Sequence, residues 1–307
     1  MKAFRIHGYA ADPVIDTIDM PQPGAGQVLV RVAAASLNPL DVKLQRGYME
    51  AFFPLAFPYT LGSDLSGTIE VVGDGVSGWR AGDRVVARTA PTSGGALAEF
   101  ALVPADHLVR LADAVTFKRA AGVPTAAGTA WQALFEVARL GAGQTILIHA
   151  GAGGVGSFAI QFARQAGARV VATASGSGIA IAERLGADLV IDYRNQDFTK
   201  RVSDVDMVLD TIGGDTQARS YQVLRAGGFL ASVAAPPDEA FAKAHGVDAA
   251  FVFHSSDGLR LAAVMDKVAA GTEVLIDRIV PCRDAIGAFH HQASGRARGK
   301  IVLTNGW

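Results

Sequence analysis

Residues 1–110 read as short β-prone runs of apolar side chains, broken by turns. QVLVRVAAAS (Gln27–Ser36), SGTIEVVGDGV (Ser66–Val76), GDRVVART (Gly82–Thr89) and ALAEFALVPA (Ala96–Ala105) carry this pattern. No helical period of twelve or more residues dominates there, so an antiparallel, partly barrel-like β domain is expected. Near Phe117 the pattern changes to strands alternating with helices. TILIHA (Thr145–Ala150), ARVVATA (Ala168–Ala174), DLVID (Asp188–Asp192), DMVLD (Asp206–Asp210), GGFLASVA (Gly227–Ala234) and AAFVFHS (Ala249–Ser255) are six candidate strands. SFAIQFARQAG (Ser157–Gly167) and GIAIAERLG (Gly178–Gly186) are helices between them.

Continuous β-branched runs belong to strands buried on both faces, and strand–helix alternation implies right-handed crossovers in a parallel, doubly wound sheet. After the helix DGLRLAAVMDKVAAG (Asp257–Gly271) the strands EVLIDRIVP and KIVLTN flank a helix near Arg283–Gln292. This tail is expected to return to the first domain. The expected organisation is α/β: a Rossmann domain with a six-stranded parallel sheet at 117–271, inserted in a mainly antiparallel β domain formed by 1–116 and 272–307.

Composition adds limits. Half of the 307 residues are hydrophobic and the formal net charge is −1, so the chain can bury large cores and has no overall field to recruit nucleic acid or an anionic membrane. Its one cysteine, Cys282, cannot close an internal disulfide or build a cysteine-rich zinc site. MKAFRIHGYA has no apolar core of a signal peptide, and a cytoplasmic location is expected. Gly141–Ala163 lacks Asp, Glu, Lys and Arg over 23 residues, but its six glycines fit a buried strand–turn–helix better than a membrane span.

Within that stretch, GAGGVG places Gly151, Gly153 and Gly156 in the spacing G-x-G-x-x-G, directly after a strand and opening a helix. The first glycine permits the turn, the second lets backbone approach a pyrophosphate, and the third lets helix pack on strand. Gly154 and Val155 complete the helix start, whose free N–H groups and partial positive charge suit phosphate oxygens. A dinucleotide cofactor is therefore expected. NAD-binding folds set an acid at the end of the second strand to hold the ribose 2′-hydroxyl. That strand ends here in Ser175-Gly176-Ser177, with no acid between Ile160 and Ala182. NADPH is favoured, with Ser175 and Ser177, and Tyr193 and Arg194 after the third strand, as candidates for its 2′-phosphate, the turn itself holding no arginine; the alternative is that both serines cap the next helix.

Several further strings stand in a shared order: ASLNPLDVKLQRG (Ala35–Gly47), GSDLSGTIEVVGDGV (Gly62–Val76), GDRVVA, AAGTAWQAL (Ala126–Leu134), HAGAGGVG, LGADLVIDYR and GKIVL (Gly299–Leu303). On these strings the chain resembles the zinc-free, zeta-crystallin-like quinone oxidoreductases of the medium-chain dehydrogenase/reductase superfamily. The resemblance implies a GroES-like catalytic domain around the Rossmann domain. Where zinc-dependent relatives carry a cysteine and a Gly-His-Glu, this chain has Asn38 and Gly62-Ser63-Asp64. No metal is expected, because amide and hydroxyl oxygens are poor zinc ligands.

The resemblance also implies that Asn38 and Thr129 lie beside the nicotinamide, that the loops at Val233-Ala234 and Phe253-His254 flank it, and that Lys300 approaches cofactor phosphates or riboses. Asn38 would donate to a substrate oxygen. Tyr48 is the apt candidate proton donor, ahead of Lys43 and Asp41, because a phenol can protonate an enolate. FFPLAFPY (Phe52–Tyr59) suits either an apolar quinone pocket or loop packing. His290-His291 is expected to face solvent. The expected activity is hydride transfer from NADPH to a quinone, with an enone or alkenal as the alternative acceptor. A non-catalytic NADPH binder of structural, RNA-binding or redox-sensing type is the alternative of another class. Relatives pair the last Rossmann strand across a two-fold axis, so a homodimer is expected.

Overall fold

Ala3, Phe4 and Ile6 are buried while Lys2 is exposed, and these positions form β1 (Lys2–Ile6), antiparallel to β2 (Val14–Thr17). The computed structural model describes residues 1–307. β3 (Gln27–Leu37) is followed by a short helix, α1 (Pro39–Gln45), which the strand pattern does not reveal. β4 (Tyr59–Thr60) pairs with β1. β5 (Asp64–Val72), β6 (Arg84–Arg88), β7 (Phe100–Pro104) and β8 (Leu108–Arg110) then build an antiparallel sheet on β3. β5 runs along one edge of β3, and β7 pairs with the first half of its other edge. α2 (Phe117–Ala121) packs on this sheet: Ala121 clusters with Ala34, and Ser36 and Ser66 donate to the carbonyls of Ala121 and Phe117.

α3 (Pro124–Trp131) runs into a wide π turn over Gln132–Val137, where Trp131 stacks edge-on with Phe135 and Phe162. Alternating strands and helices follow: β9 (Thr145–Ile148), α4 (Gly154–Gln165), β10 (Arg169–Ala174), α5 (Gly178–Leu185), β11 (Leu189–Asp192), β12 (Val205–Asp210), α6 (Gly214–Ser220), β13 (Leu224–Ser232), α7 (Glu239–Ala244) and β14 (Asp248–Phe251). Only the connection from β11 to β12 lacks an α-helix. All six strands are parallel, in the order β11-β10-β9-β12-β13-β14. This is the doubly wound dinucleotide-binding order, with its reversal between β9 and β12. Ile146, Leu147, Ile148, Val170, Val171 and Val208 have no exposure, as strands covered on both faces require.

The chain then returns to the first unit through α8 (Gly258–Ala269), β15 (Ile276–Pro281), α9 (Ala285–Ala293) and β16 (Lys300–Thr304). Asp257 caps α8 by accepting from the Arg260 N–H. β16 occupies the half of β3 that β7 leaves open, pairing Ile301–Thr304 with Ala34–Leu37. Phe289 of α9 meets Phe4 edge-on in the core of this unit. His291 is not solvent-facing as expected: its Nε2 lies 3.0 Å from Asp277 Oδ2, and only His290 is exposed.

The two compact units are Met1–Thr125 with Ser255–Trp307, and Ala126–His254. The boundaries therefore lie inward of those expected from pattern. Phe117–Thr125 stays with the first unit because α2 is packed and hydrogen-bonded on β3 and β5. Ser255–Gly271 does so because α8 sits against β8, with Gly258 on the Asp106 carbonyl. No helix is long and apolar enough to cross a membrane.

Candidate active site

The glycine-rich turn is the candidate cofactor site of the unit Ala126–His254. Gly153 caps α4 in an extended conformation, and Gly154, Val155 and Gly156 form its first turn. Their N–H groups have no acceptor in the preceding turn of helix and are oriented out of the helix start. Gly156 has to be glycine: a Cβ there would lie 2.3 Å from the Ala150 carbonyl oxygen. Gly151 is also confined, with Ala172 Cβ 2.9 Å and Ile160 Cδ1 3.0 Å from where its Cβ would lie. The turn fits a dinucleotide diphosphate by donor chemistry and by space.

Beneath it, His149 is buried and pushed down to about 4, above all by desolvation. It links β9 to Thr173 on β10 and to Ser220 at the end of α6. At the end of β10, the Ser175 hydroxyl donates to the Tyr193 hydroxyl across 2.9 Å, and the Tyr193 N–H donates to the Ala174 carbonyl. Ser177 precedes α5 but makes no capping bond with its side chain, so helix capping does not account for this serine pair. Tyr193 and Arg194 are exposed beside the turn.

The loop after β12 is fixed by Asp210. Its Oδ1 accepts from Ile212 and Gly213 N–H, and its Oδ2 from Gln217 and the Ser232 hydroxyl. Val233 donates to the Asp210 carbonyl, which ties the loop after β13 to the same point. Ala234 is half-buried there. Beyond β14, Phe253 is exposed, while the His254 ring lies over α3: a Cβ on Gly128 would meet its Cε1 at 2.5 Å, and its Nδ1 is 3.3 Å from Gln132 Oε1. Thr129, next to Gly128, is buried. The structure thus brings Gly128, Gln132 and His254 together.

In the other unit, Asn38 ends β3 and precedes Pro39, which holds it extended. It is 2% exposed. Its Nδ2 donates to Asp64 Oδ2 at 3.0 Å and its Oδ1 accepts from the Lys300 ammonium. Lys300 also donates to the Leu37 carbonyl at 2.9 Å and lies 3.5 Å from Asp64 Oδ2. Its three donors are thereby committed within this unit. Burial lowers its pKa, against the opposing pull of Asp64 and Asp41. Asp64 is fully buried and also accepts from Ser36 and from the N–H and hydroxyl of Thr125. Arg88 Nε donates to the Thr125 hydroxyl.

Asp41 turns the chain after Pro39, accepting from Asn38 N–H at 2.7 Å and Gly62 N–H at 3.1 Å. Desolvation raises it to about 6. Tyr48 is 70% exposed, its ring 6.0 Å from the Arg46 guanidinium, and no contact joins it to the Asn38 cluster. The aromatic segment is divided. Phe53 and Leu55 pack on the core and Tyr59 bonds the Pro91 carbonyl, whereas Phe52 is exposed. Sequence reasoning misses Asp64 as the partner of Asn38 and Thr125 as a partner of Asp64. The signal for each is a polar residue at the edge of an otherwise apolar string.

No three His, Cys, Asp or Glu side chains are grouped to hold a metal ion. The donor set around Asn38 does not fit zinc: an amide already paired on both ends and two carboxylates, Asp64 facing an ammonium and Asp41 accepting from two backbone N–H groups. Cys282 is buried in the core cluster and raised to about 12 by desolvation.

Residues 24–113 match the alcohol dehydrogenase GroES-like domain, and residues 185–303 match the zinc-binding dehydrogenase family model. A chloroplast envelope quinone oxidoreductase homolog of Arabidopsis thaliana is 40% identical over 182 residues, 58% of this chain and 55% of its own length. The match thus spans about half of that relative. A 2-methylene-furan-3-one reductase of Solanum lycopersicum is 32% identical over 321 residues, covering 99% of this chain and 79% of that protein. The structure of mycobacterial Rv1454c complexed with NADPH superposes with a TM-score of 0.89 at 30% identity, over 99% of each chain. Given the parallel sheet, the glycine turn and these matches, the chain belongs to the medium-chain dehydrogenase/reductase superfamily, in its quinone oxidoreductase branch.

Proposed function

We propose that the protein reduces a quinone with NADPH and uses no zinc. The observation that carries this reading is the helix start at Gly153–Gly156, set at the end of β9 where the strand order reverses. Bound NADPH would supply a hydride, which carries both electrons, and the quinone with that hydride and one proton from water would become a hydroquinone. The helix start at Gly153–Gly156 would hold the diphosphate. Ser175 and Tyr193 offer hydroxyls to a 2′-phosphate in a turn that carries no repelling carboxylate. Support for this choice comes from the NADPH complex of the mycobacterial neighbour. The Asn38 amide donates to the acceptor oxygen, the role that a Lewis acid fills in zinc enzymes.

A second acceptor class has its own support. The tomato relative that covers most of this chain is by name an enone reductase, and an enone presents the same electrophilic carbon beside a carbonyl oxygen. The edge position of β14 supports pairing of two copies.

The test is NADPH oxidation followed at the nicotinamide absorbance, against a panel of quinones and enones. Turnover with quinones at kcat/KM above that with enones is expected. Enone turnover exceeding quinone turnover would transfer the assignment to the second class. Saturable NADPH binding with no turnover of either class would overturn the enzymatic reading.

A further inference from the structure

The Asn38 carboxamide is held at both ends. Lys300, 262 residues away in the chain, presents its ammonium to Oδ1, and Asp64 receives one Nδ2 hydrogen at 3.0 Å. An ammonium on Oδ1 and a carboxylate on Nδ2 admit only one flip of the amide, since reversal would face NH₂ with NH₃⁺ and C=O with COO⁻. All these groups are nearly or fully buried, where such bonds are strong and mutually polarising. Asp64 is itself immobilised by Ser36 and by both donors of Thr125.

We infer that Lys300 is a positioning residue: its ammonium fixes and polarises the Asn38 amide, so that the second Nδ2 hydrogen is a preorganised donor for the acceptor oxygen. This rests on the role proposed for Asn38. Charge drawn from the amide oxygen makes the amide hydrogens better donors, and an amide that cannot flip needs no reorganisation as negative charge develops on the acceptor. The alternative is that Lys300 binds cofactor phosphate, or simply holds β16 on β3.

Three measurements separate these. Wild-type turnover with the acceptor panel comes first, and its absence sinks the proposed function. NADPH affinity is then measured for Lys300→Met, which preserves much of the side-chain volume. The Kd is expected to stay within about twofold, with kcat lower by about 10- to 100-fold. A rise in Kd of about tenfold or more would make Lys300 a phosphate ligand and overturn the inference. Finally, Lys300→Met is combined with Asn38→Ala. Acting through the amide, the Lys300 change has about a twofold effect or less in the Asn38→Ala background; an undiminished effect there would mean a purely structural role.

Should Lys300→Met not fold, the native protein still answers. The Asn38 side-chain amide, assigned in nitrogen NMR by its loss in Asn38→Ala, is expected to give one proton line moved downfield by the Asp64 carboxylate and exchanging slowly with water, and a second line that shifts when an acceptor analogue binds. Two lines at free-amide positions, or a second line that no acceptor analogue moves, would overturn the inference whether or not the enzyme turns over.

Discussion

His149 Nε2 lies 2.9 Å from the Ser220 hydroxyl oxygen, and that hydroxyl already donates to the Thr216 carbonyl. Nε2 is therefore the donor, and Nδ1 is the acceptor facing Thr173 at 3.2 Å. The ring beneath the glycine turn is neutral, and a second proton would meet both low dielectric and an oxygen already committed as a donor.

This gives stability a pH dependence with a definite sign. The unfolded imidazole protonates near 6.5, whereas the folded one does so at about 4. Between these values the unfolded chain binds more protons, so stability falls as pH drops and is fully regained above 6.5. The loss approaches about 3 kcal/mol, from 1.36 kcal/mol per pKa unit. Asp41 has the opposite sign: raised to about 6, it favours the folded state progressively as pH falls toward 4. Urea unfolding of wild type and His149→Gln between pH 4 and 7 separates the two. The variant should lose the steepening below 6.5; an unchanged slope would show that His149 carries no part of it.

Gly156→Ala should weaken NADPH binding by tenfold or more, because the new Cβ contacts only backbone, at 2.3 Å from Ala150 O and 2.9 Å from Gly151 Cα. Gly287→Ala in α9 is the control. Nothing lies within 4 Å of its Cβ, and helix propensity predicts a gain of up to about 1 kcal/mol. Calorimetry and fluorescence titration read both. Normal NADPH affinity in Gly156→Ala would remove the turn from the cofactor site.

Tyr193→Phe and Ser175→Ala should each weaken NADPH by about tenfold, the value of a hydrogen bond to a charged group, and leave NADH nearly unaffected. Equal losses for both cofactors would place this pair away from the 2′-phosphate. Wild type binding NADH more tightly than NADPH would contradict the cofactor choice itself.

β14 is four residues long at the sheet edge, with Ala249, Ala250 and Phe251 half-buried. Light scattering should give twice the chain mass. Ala250→Lys, a charge on that edge, should give the single chain with its stability kept. A wild-type monomer would exclude the pairing.

Much of this architecture is legible in the amino-acid pattern. The six parallel strands follow from continuous β-branched runs, and the turn from glycines placed between a strand and a helix. The short α1 is not, because Pro39–Gln45 is less than two helical turns and shows no period. Nor is the division at Thr125, which depends on α2 packing against Ala34 and Val302. Lys300 stands out as a motif residue, but the motif does not reveal its partners within the chain. Its contacts lie with Leu37, Asn38 and Asp64, and no local pattern encodes a bond spanning 262 residues.

The nucleotide unit is one uninterrupted stretch, whereas the other unit needs β16 to fill the open half of β3. During synthesis the first can therefore be complete while the second still lacks the strand that bears Lys300. A nascent chain therefore passes through a stage in which the parallel-sheet unit has all its strands while the Asn38 amide still lacks its Lys300 partner.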